Sequence, residues 1–354
     1  PYNMEMLNRM IEKKVNLIDY EKIENELNRR LIFFGKYAGL AGMIETLYAY
    51  GQKLKKNGYV TPFEKIKQAY EYSSLEEAKE EIRKIGEEIE ENGYPSDIAP
   101  LIVGFTGYGN VSKGAQEIFD LLPYKIVSPD IMDVNYENFT NDNYNIYKVV
   151  FREEDMVELK KEYREISEKR PDFHDSNRHN MPFDLQDYYQ NPEKYQSKFE
   201  NYLRYLTILV NCIYWTEDYP RLVTKKYLKD TTVIRSNLNL KVIGDISCDI
   251  DGSIEITKDA TMPDKPSFTY FANEDRFEDG VSRLGVTVMA VDNLPCEFPR
   301  ESSKAFSEVL KPFIPAIVSA DFSKSYDELD LPEPIKRGLI LHQGKLTKDF
   351  EYMK

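Results

Sequence analysis

The sequence is poor in residues that build covalent or metal staples. Three cysteines, Cys212, Cys248 and Cys296, stand far apart in 354 residues with no CxxC pair. That argues against a disulfide framework or a cysteine zinc site and fits a reducing compartment. There are only three histidines: His174 and His179 in the polar stretch DFHDSNRHNM, and His342 near the far end. Their spacing forms no recognised metal set, so no metal is expected. No stretch approaches the ~18 apolar residues that span a bilayer. Positive charge is short too, with 47 Lys and Arg against 61 Asp and Glu and a net charge of −14. A general nucleic-acid or anionic-membrane surface is therefore disfavoured, and any anionic ligand must be held by a few local cations. Internal repeats are absent, as are low-complexity tracts beyond short Glu/Lys runs.

What is present is ordinary material for a folded protein: 41% hydrophobic and 31% charged residues, too apolar for a disordered chain. The length predicts two domains, or one with a large excursion. Apolar residues at helical spacing behind Asn3 predict a helix over 3–14, and RRLIFFG (29–35) reads as a buried strand introduced by two arginines. The segment 35–58 carries Gly35, Ala38, Gly39, Ala41 and Gly42 on a helical pattern, a start that permits close approach of a backbone or ligand. A charged amphipathic helix follows over 73–92. Apolar strands are then expected at LIVGF (101–105), YKIVS (124–128), TILVNCIY (207–214), KVIGDIS (241–247) and GVTVMAVD (285–292), and a capped helix at 299–317.

Alternation of buried strands with helices predicts an α/β protein with a parallel sheet. The expected architecture is two Rossmann-like lobes. One is an NAD(P)-binding domain over 94–294, with a polar, tyrosine-rich excursion at 134–200. The other is a substrate lobe from 1–93 and 295–354. The tyrosines of the excursion, Tyr188, Tyr189, Tyr195, Tyr202 and Tyr205, are expected to build a domain surface rather than stack on bases.

The stretch LIVGFTGYGNVSKGAQ (101–116) places Gly104, Gly107, Gly109 and Gly114 directly after a strand and at the opening of a helix. A dinucleotide cradle needs that context: a tight turn at Gly107, close backbone approach at Gly109, and helix N-terminal amides aimed at a pyrophosphate. The glycine spacing is irregular, and a plain strand-to-helix turn is the alternative. An acid that would take the ribose 2′-hydroxyl is missing at the end of the next expected strand. Ser128 stands there, followed by Pro129 and Asp130, with Lys125 the nearby cation. A small hydroxyl tolerates a 2′-phosphate, which favours NADP, with NAD still open.

The stretches GYGNVSKGAQEIFDLLPYKIVSP, FDLQDYYQNPEKYQSKFENYLRYLTILVNCIYW, VIGDISCDIDGSIEI and VDNLPCEFPRESS resemble the lysine–2-oxoglutarate reductase (saccharopine-forming) half of the bifunctional lysine-degrading enzymes of animals and plants. The similarity runs from NMEML to LTKDFEYMK. VDNLPCEFPRESS and the glycine-rich helix at 35–42 also resemble the wider alanine dehydrogenase and transhydrogenase-like superfamily.

The resemblance implies an oxidoreductase that joins lysine to 2-oxoglutarate and forms saccharopine, with NADPH as reductant. It also implies a fused or associated saccharopine-oxidising domain as partner. It places Arg29 at the cofactor and Arg30 at a substrate carboxylate, with Phe34 packing substrate. Gly107, Gly109, Asn110 and Val111 fall on the phosphate loop and Ser128 on the ribose. Asn211, Cys212 and Ile213 fall at a strand end bordering both ligands, and Gly244, Asp245, Ile246 and Ser247 beside the nicotinamide. A surface ion pair is the alternative for Arg29 and Arg30, and a strand-end cap for Asp245. The resemblance places the general acid/base lysine and histidine N-terminal to residue 1, so the catalytic residues are unassigned and the substrate lobe is expected to be incomplete. The sequence opens at Pro1 without an initiator Met, so targeting is undecided between cytoplasm and mitochondrial matrix. Two further readings stay open, an alanine dehydrogenase-like enzyme and a non-catalytic nucleotide-binding fragment.

Overall fold

The computed structural model describes residues 3–353 apart from 133–135, 137–138, 140–141, 169–182 and 236–237. His174 and His179 lie outside the described residues. The chain divides into two compact units, 35–298 and a smaller one made of 1–34 with 299–354.

In the larger unit an eight-stranded sheet runs, from edge to edge, Arg276–Asp279, Ser267–Phe271, Val286–Met289, Val242–Asp245, Ile208–Asn211, Ile102–Thr106, Ile146–Phe151, Tyr124–Ile126. From Val286–Met289 to Tyr124–Ile126 every pairing is parallel. The hairpin 267–279 adds two antiparallel strands at one edge. The parallel sheet agrees with expectation, whereas the hairpin and the strand Ile146–Phe151 were not foreseen.

Side chains alternate across the sheet. Val103, Phe105, Ile208, Val210 and Val242 face one core cluster, and Ile102, Leu209, Ile243 and Val288 face the other. Both faces are apolar, as a buried parallel sheet requires.

The first face is covered by the helix Gly35–Lys56, which is buried on nearly all sides from Gly39 to Leu54. Its small residues bring backbone against backbone. A Cβ on Gly39 would lie 1.9 Å from the Val111 carbonyl oxygen, and one on Gly114 would lie 2.1 Å from that of Lys36. Only glycine permits that crossing with the helix Asn110–Phe119. Further along, a Cβ on Gly244 would meet the Thr46 hydroxyl at 2.0 Å, and one on Gly42 would meet Ile246 at 2.7 Å. The close approach read from the sequence is thus to another helix and to the sheet. For the same reason the contacts do not divide the chain at 93/94: Leu40, Ile44, Ile82 and Ile89 share one cluster with Val103 and Phe105. The helix Leu75–Asn92, capped by the Ser74 hydroxyl on the Glu77 amide, belongs to this unit as well.

The tyrosines of the excursion build the second core. Tyr188 packs edge-on against Tyr195 and Tyr219, and Tyr202 and Phe199 pack against Phe151. A two-stranded ribbon, Val157–Leu159 with Tyr195–Ser197, sits among them.

In the smaller unit the helix Met4–Glu12 is capped by Asn3, whose side chain accepts from the Met6 amide at 2.9 Å. The strands Leu17–Ile18, Leu339–His342 and Lys345–Leu346 form an antiparallel sheet. RRLIFFG is not a strand here. The Asn25 side chain accepts from the amides of Leu27 and Arg29, and Asn28 turns through a left-handed φ of 55°. This tight turn leaves a single bridge between Glu24 and Arg30 before helix begins at Gly35.

Candidate functional site: a dinucleotide cleft

The centre of the larger unit is the carboxyl end of the strand Ile102–Thr106. The chain leaves it at Gly107, which adopts φ +80° and whose added Cβ would lie 3.1 Å from Ile213 Cγ2. A non-glycine residue is strained there on both counts. Gly109 is the N-cap of the helix Asn110–Phe119, no side chain caps that end, and a Cβ on Gly109 would meet nothing within 4 Å. Open space in front of uncapped amides at the positive end of a helix dipole is what a pyrophosphate requires. Asn110 and Val111 open the helix. A cavity of about 400 Å³ lies alongside, lined by Gly107, Tyr108, Gly109, Glu153, Cys212 and Ile213 among others.

Neighbouring strand ends are tied together by a buried polar network. Thr106 Oγ1 donates to Asn211 Oδ1 at 2.8 Å. Asn211 Nδ2 lies 2.9 Å from Asp245 Oδ1, 3.0 Å from Ser247 Oγ and 2.8 Å from Ser253 Oγ. Asp245 also accepts from Ser247 Oγ at 2.7 Å and Thr257 Oγ1 at 2.5 Å. Burial raises the Asp245 carboxyl above its ordinary pKa, against hydrogen bonds from Thr257, Ser247 and Asn211 that favour the anion. Both Asn211 and Asp245 are fully buried and occupied by each other and by hydroxyls. Their role is to hold three adjacent strand ends in register beneath the cleft.

The Cys212 thiol lines the cavity, and burial, reinforced by Asp245, pushes its pKa far up, so it is a thiol and not a thiolate. Ile213 braces Gly107, Gly244 makes room for Thr46, and Ile246 packs beneath Gly42.

Ser128 follows the edge strand Tyr124–Ile126, and its hydroxyl donates to Asp130. Between that edge strand and the glycine-loop strand lies Ile146–Phe151. Lys125 is paired with Asp142 at 2.8 Å. Arg29, Arg30 and Phe34 belong to the smaller unit, where Arg30 pairs with Glu21 at 3.0 Å, both about half exposed, and Phe34 stacks edge-on against Phe306. An exposed pair of that kind contributes little to stability.

Two features of the larger unit were not read from the sequence. One is Arg152 and Glu153, at the end of the unforeseen strand; IYKVVF was the signal, hidden inside a polar excursion. Glu153 Oε1 accepts from Tyr189 OH at 2.6 Å, while its buried Oε2 has no partner. The other is a buried carboxyl pair, Glu45 with Glu297. Glu45 Oε1 accepts from the Ala69 amide at 2.6 Å, and its other oxygen lies 3.4 Å from Gln68 Nε2. No local sequence pattern brings these two acids together. Among the described residues no cluster of three or more His, Cys, Asp or Glu is placed to hold a metal ion. No helix among them is long and apolar enough to cross a membrane.

A parallel sheet with an uncapped glycine turn and helix N-terminus at its carboxyl edge is the Rossmann-like arrangement of dinucleotide-binding domains. Residues 192–349 match the family described as alanine dehydrogenase/PNT, C-terminal domain. A solved L-alanine dehydrogenase superposes on 97% of this chain and 69% of its own, with a TM-score of 0.50 at 13% identity, a likeness of fold alone. Residues 192–349 thus carry the sequence pattern of the alanine dehydrogenase/PNT C-terminal domain family, on a fold like that of the solved alanine dehydrogenase. The chain is 38% identical to the alpha-aminoadipic semialdehyde synthase of Arabidopsis thaliana, over 99% of this chain and 32% of that protein. It is 30% identical to the mitochondrial alpha-aminoadipic semialdehyde synthase of Mus musculus, over 99% of this chain and 37% of that protein. The chain thus spans about a third of the length of these relatives.

Proposed function

We propose that this chain is the reductase portion of an enzyme that condenses L-lysine with 2-oxoglutarate and reduces the product to saccharopine. The ε-amine of lysine and the ketone of 2-oxoglutarate lose water to form an imine. Bound NADPH would supply a hydride to the imine carbon, and with a proton to its nitrogen the products would be NADP and the secondary amine. The observation that carries this reading is the similarity to two alpha-aminoadipic semialdehyde synthases along 99% of the chain. The Gly107–Val111 turn supplies a cradle compatible with the dinucleotide.

The bound nicotinamide supplies the hydride, and the chain's own residues supply placement. Gly107 and Gly109 would leave room for a pyrophosphate, and the Asn211–Asp245 network would fix the strand ends beside a bound nicotinamide. Arg30 in the smaller unit is proposed to hold a substrate carboxylate, and Arg29 to contact cofactor. The proton-transfer groups are not among the assigned residues. A saccharopine-oxidising domain or partner would consume the product.

The test follows reduced-dinucleotide oxidation by the native protein that carries this chain, with lysine plus 2-oxoglutarate and, separately, with pyruvate plus ammonia. Oxidation with the first pair supports the reading. Oxidation only with the second would make the protein an alanine dehydrogenase-type enzyme, and dinucleotide binding without oxidation in either case would make it a non-catalytic binder.

A further inference from the structure

The strand order decides which side chain meets the adenosine ribose. In wound sheets that ribose is read at the carboxyl end of the strand beside the glycine-loop strand. Here that neighbour is Ile146–Phe151, paired in parallel with Ile102–Thr106 from Ile102↔Tyr147 to Thr106↔Phe151. Tyr124–Ile126 lies one place further out. The residue directly after the neighbouring strand is Arg152. Its guanidinium carbon lies 5.6 Å from the centroid of Tyr108, the residue between the two glycines of the turn, within cation–π range. Arg152 is exposed. The two lysines on this side of the sheet are committed elsewhere, Lys125 to Asp142 and Lys148 to Asp120. Arg152 has no ion pair among the described residues.

We propose that Arg152 is the specificity-determining residue for the cofactor, its planar fork receiving the 2′-phosphate of NADPH while it stacks on Tyr108. The proposal rests on the reading of Gly107–Val111 as a dinucleotide cradle. Three acids follow in sequence and bear on the choice. Glu153 is engaged by Tyr189 OH at 2.6 Å, and Asp155 accepts from the Arg152 amide at 2.8 Å. Glu154 is exposed. A guanidinium without an ion pair, beside two acids that each already accept a hydrogen bond through one oxygen, favours a phosphate over a bare diol, in a protein whose net charge of −14 supplies no general attraction for anions. Ser128 takes no part.

The test is an equilibrium titration of NADPH and NADH into the 354-residue chain, read by nicotinamide fluorescence and by calorimetry, with 2′-phospho-ADP-ribose and ADP-ribose as probes lacking nicotinamide. Arg152→Ala should weaken NADPH and 2′-phospho-ADP-ribose by about tenfold or more, the loss of a charge-assisted contact. NADH and ADP-ribose should change by less than about twofold in the same variant. Arg152→Lys should recover part of the loss, and Ser128→Ala should leave all four ligands unchanged. An Arg152→Ala variant that lowers all four equally, or none, overturns the assignment. So does a parent that prefers NADH and loses that preference on Glu153→Gln, which would make Glu153 the reader of a ribose diol. If the parent binds none of the four, the dinucleotide reading itself fails.

Discussion

Glu45 and Glu297 are 0% and 4% exposed, and their carboxyls face each other. Two carboxylates have no donor between them, and both Glu297 oxygens are buried without one. A proton shared between the acids supplies it. Burial first, and then the charge of Glu45, hold the Glu297 carboxyl protonated well above the ordinary range, so the pair keeps one proton past neutrality. In the unfolded chain each glutamate ionises near about 4.3. Between that value and the raised native one the folded state binds one proton more, so stability falls as pH rises. The slope is about 1.4 kcal/mol per pH unit, roughly 3 kcal/mol between pH 5 and pH 7. Glu297→Gln keeps the shape, removes one titrating group and gives Glu45 a permanent N–H donor. Urea denaturation of parent and variant, followed by circular dichroism at several pH values, measures the difference, in which other titrations common to both proteins cancel. The variant should gain on the parent steadily from pH 5 upward. Parallel curves would show that the pair carries no proton and would refute the reasoning.

The remaining predictions concern other sites. Gly107→Ala, forced to φ +80° and against Ile213, should cost about 1–2 kcal/mol of stability and weaken NADPH binding measured by fluorescence titration. Gly39→Ala should be worse than an average core substitution, because its Cβ meets a carbonyl at 1.9 Å. Overpacking of about 1–3 kcal/mol should appear as a lowered Tm, and an unchanged Tm would mean the helices part easily. Lys53 is 2% exposed and its amine is lowered to about 7, chiefly by burial. The unfolded chain holds that proton up to about 10.4, so the native state gains stability as pH rises from about 7 toward that value. Lys53→Met should abolish that rise, checked by denaturation between pH 7 and pH 9.5. In the native protein, Arg30→Ala should raise the KM for 2-oxoglutarate and leave NADPH affinity unchanged; loss of cofactor binding alone would reverse the proposed roles of Arg29 and Arg30.

The glycine turn was legible because its chemistry is local: an apolar run, glycines and a helix start all fall within LIVGFTGYGNVSKGAQ. The small residues of 35–42 were legible as a close approach, but not its target, since Val111 and Lys36 meet only after folding. Strand order was not legible at all. Sequence counts strands along the chain, whereas hydrogen bonding inserted Ile146–Phe151 between the first strand and the one expected beside it. One unread strand is therefore what turns the proposed reader of the ribose from Ser128 to Arg152. The reading of RRLIFFG failed for a different reason. Its apolar residues are real core, with Ile32 fully buried, but the Asn25 and Asn28 turn and the helix start at Gly35 leave no length for pairing. Asp245 read as a ligand or a strand-end cap, and its partners Asn211, Ser247 and Thr257 were not legible as a set, because they meet only after folding.

The helix Gly35–Lys56 has 22 residues, about 33 Å at 1.5 Å per residue. At one end Gly39 and the Lys36 carbonyl abut the helix behind the phosphate turn. At the other, Lys53 donates to the carbonyls of Ser282 and Leu284, Lys56 to that of Val281, and Asn57 to that of Arg283. The rod therefore ties the rim where the dinucleotide cradle opens to the loop entering the strand Val286–Met289 on the opposite rim. At its near end the two helices meet backbone against backbone at Gly39 and Gly114. A shift of the helix Asn110–Phe119 should therefore be felt at the far end of the rod, and slowed amide exchange on dinucleotide binding should reach residues 281–285.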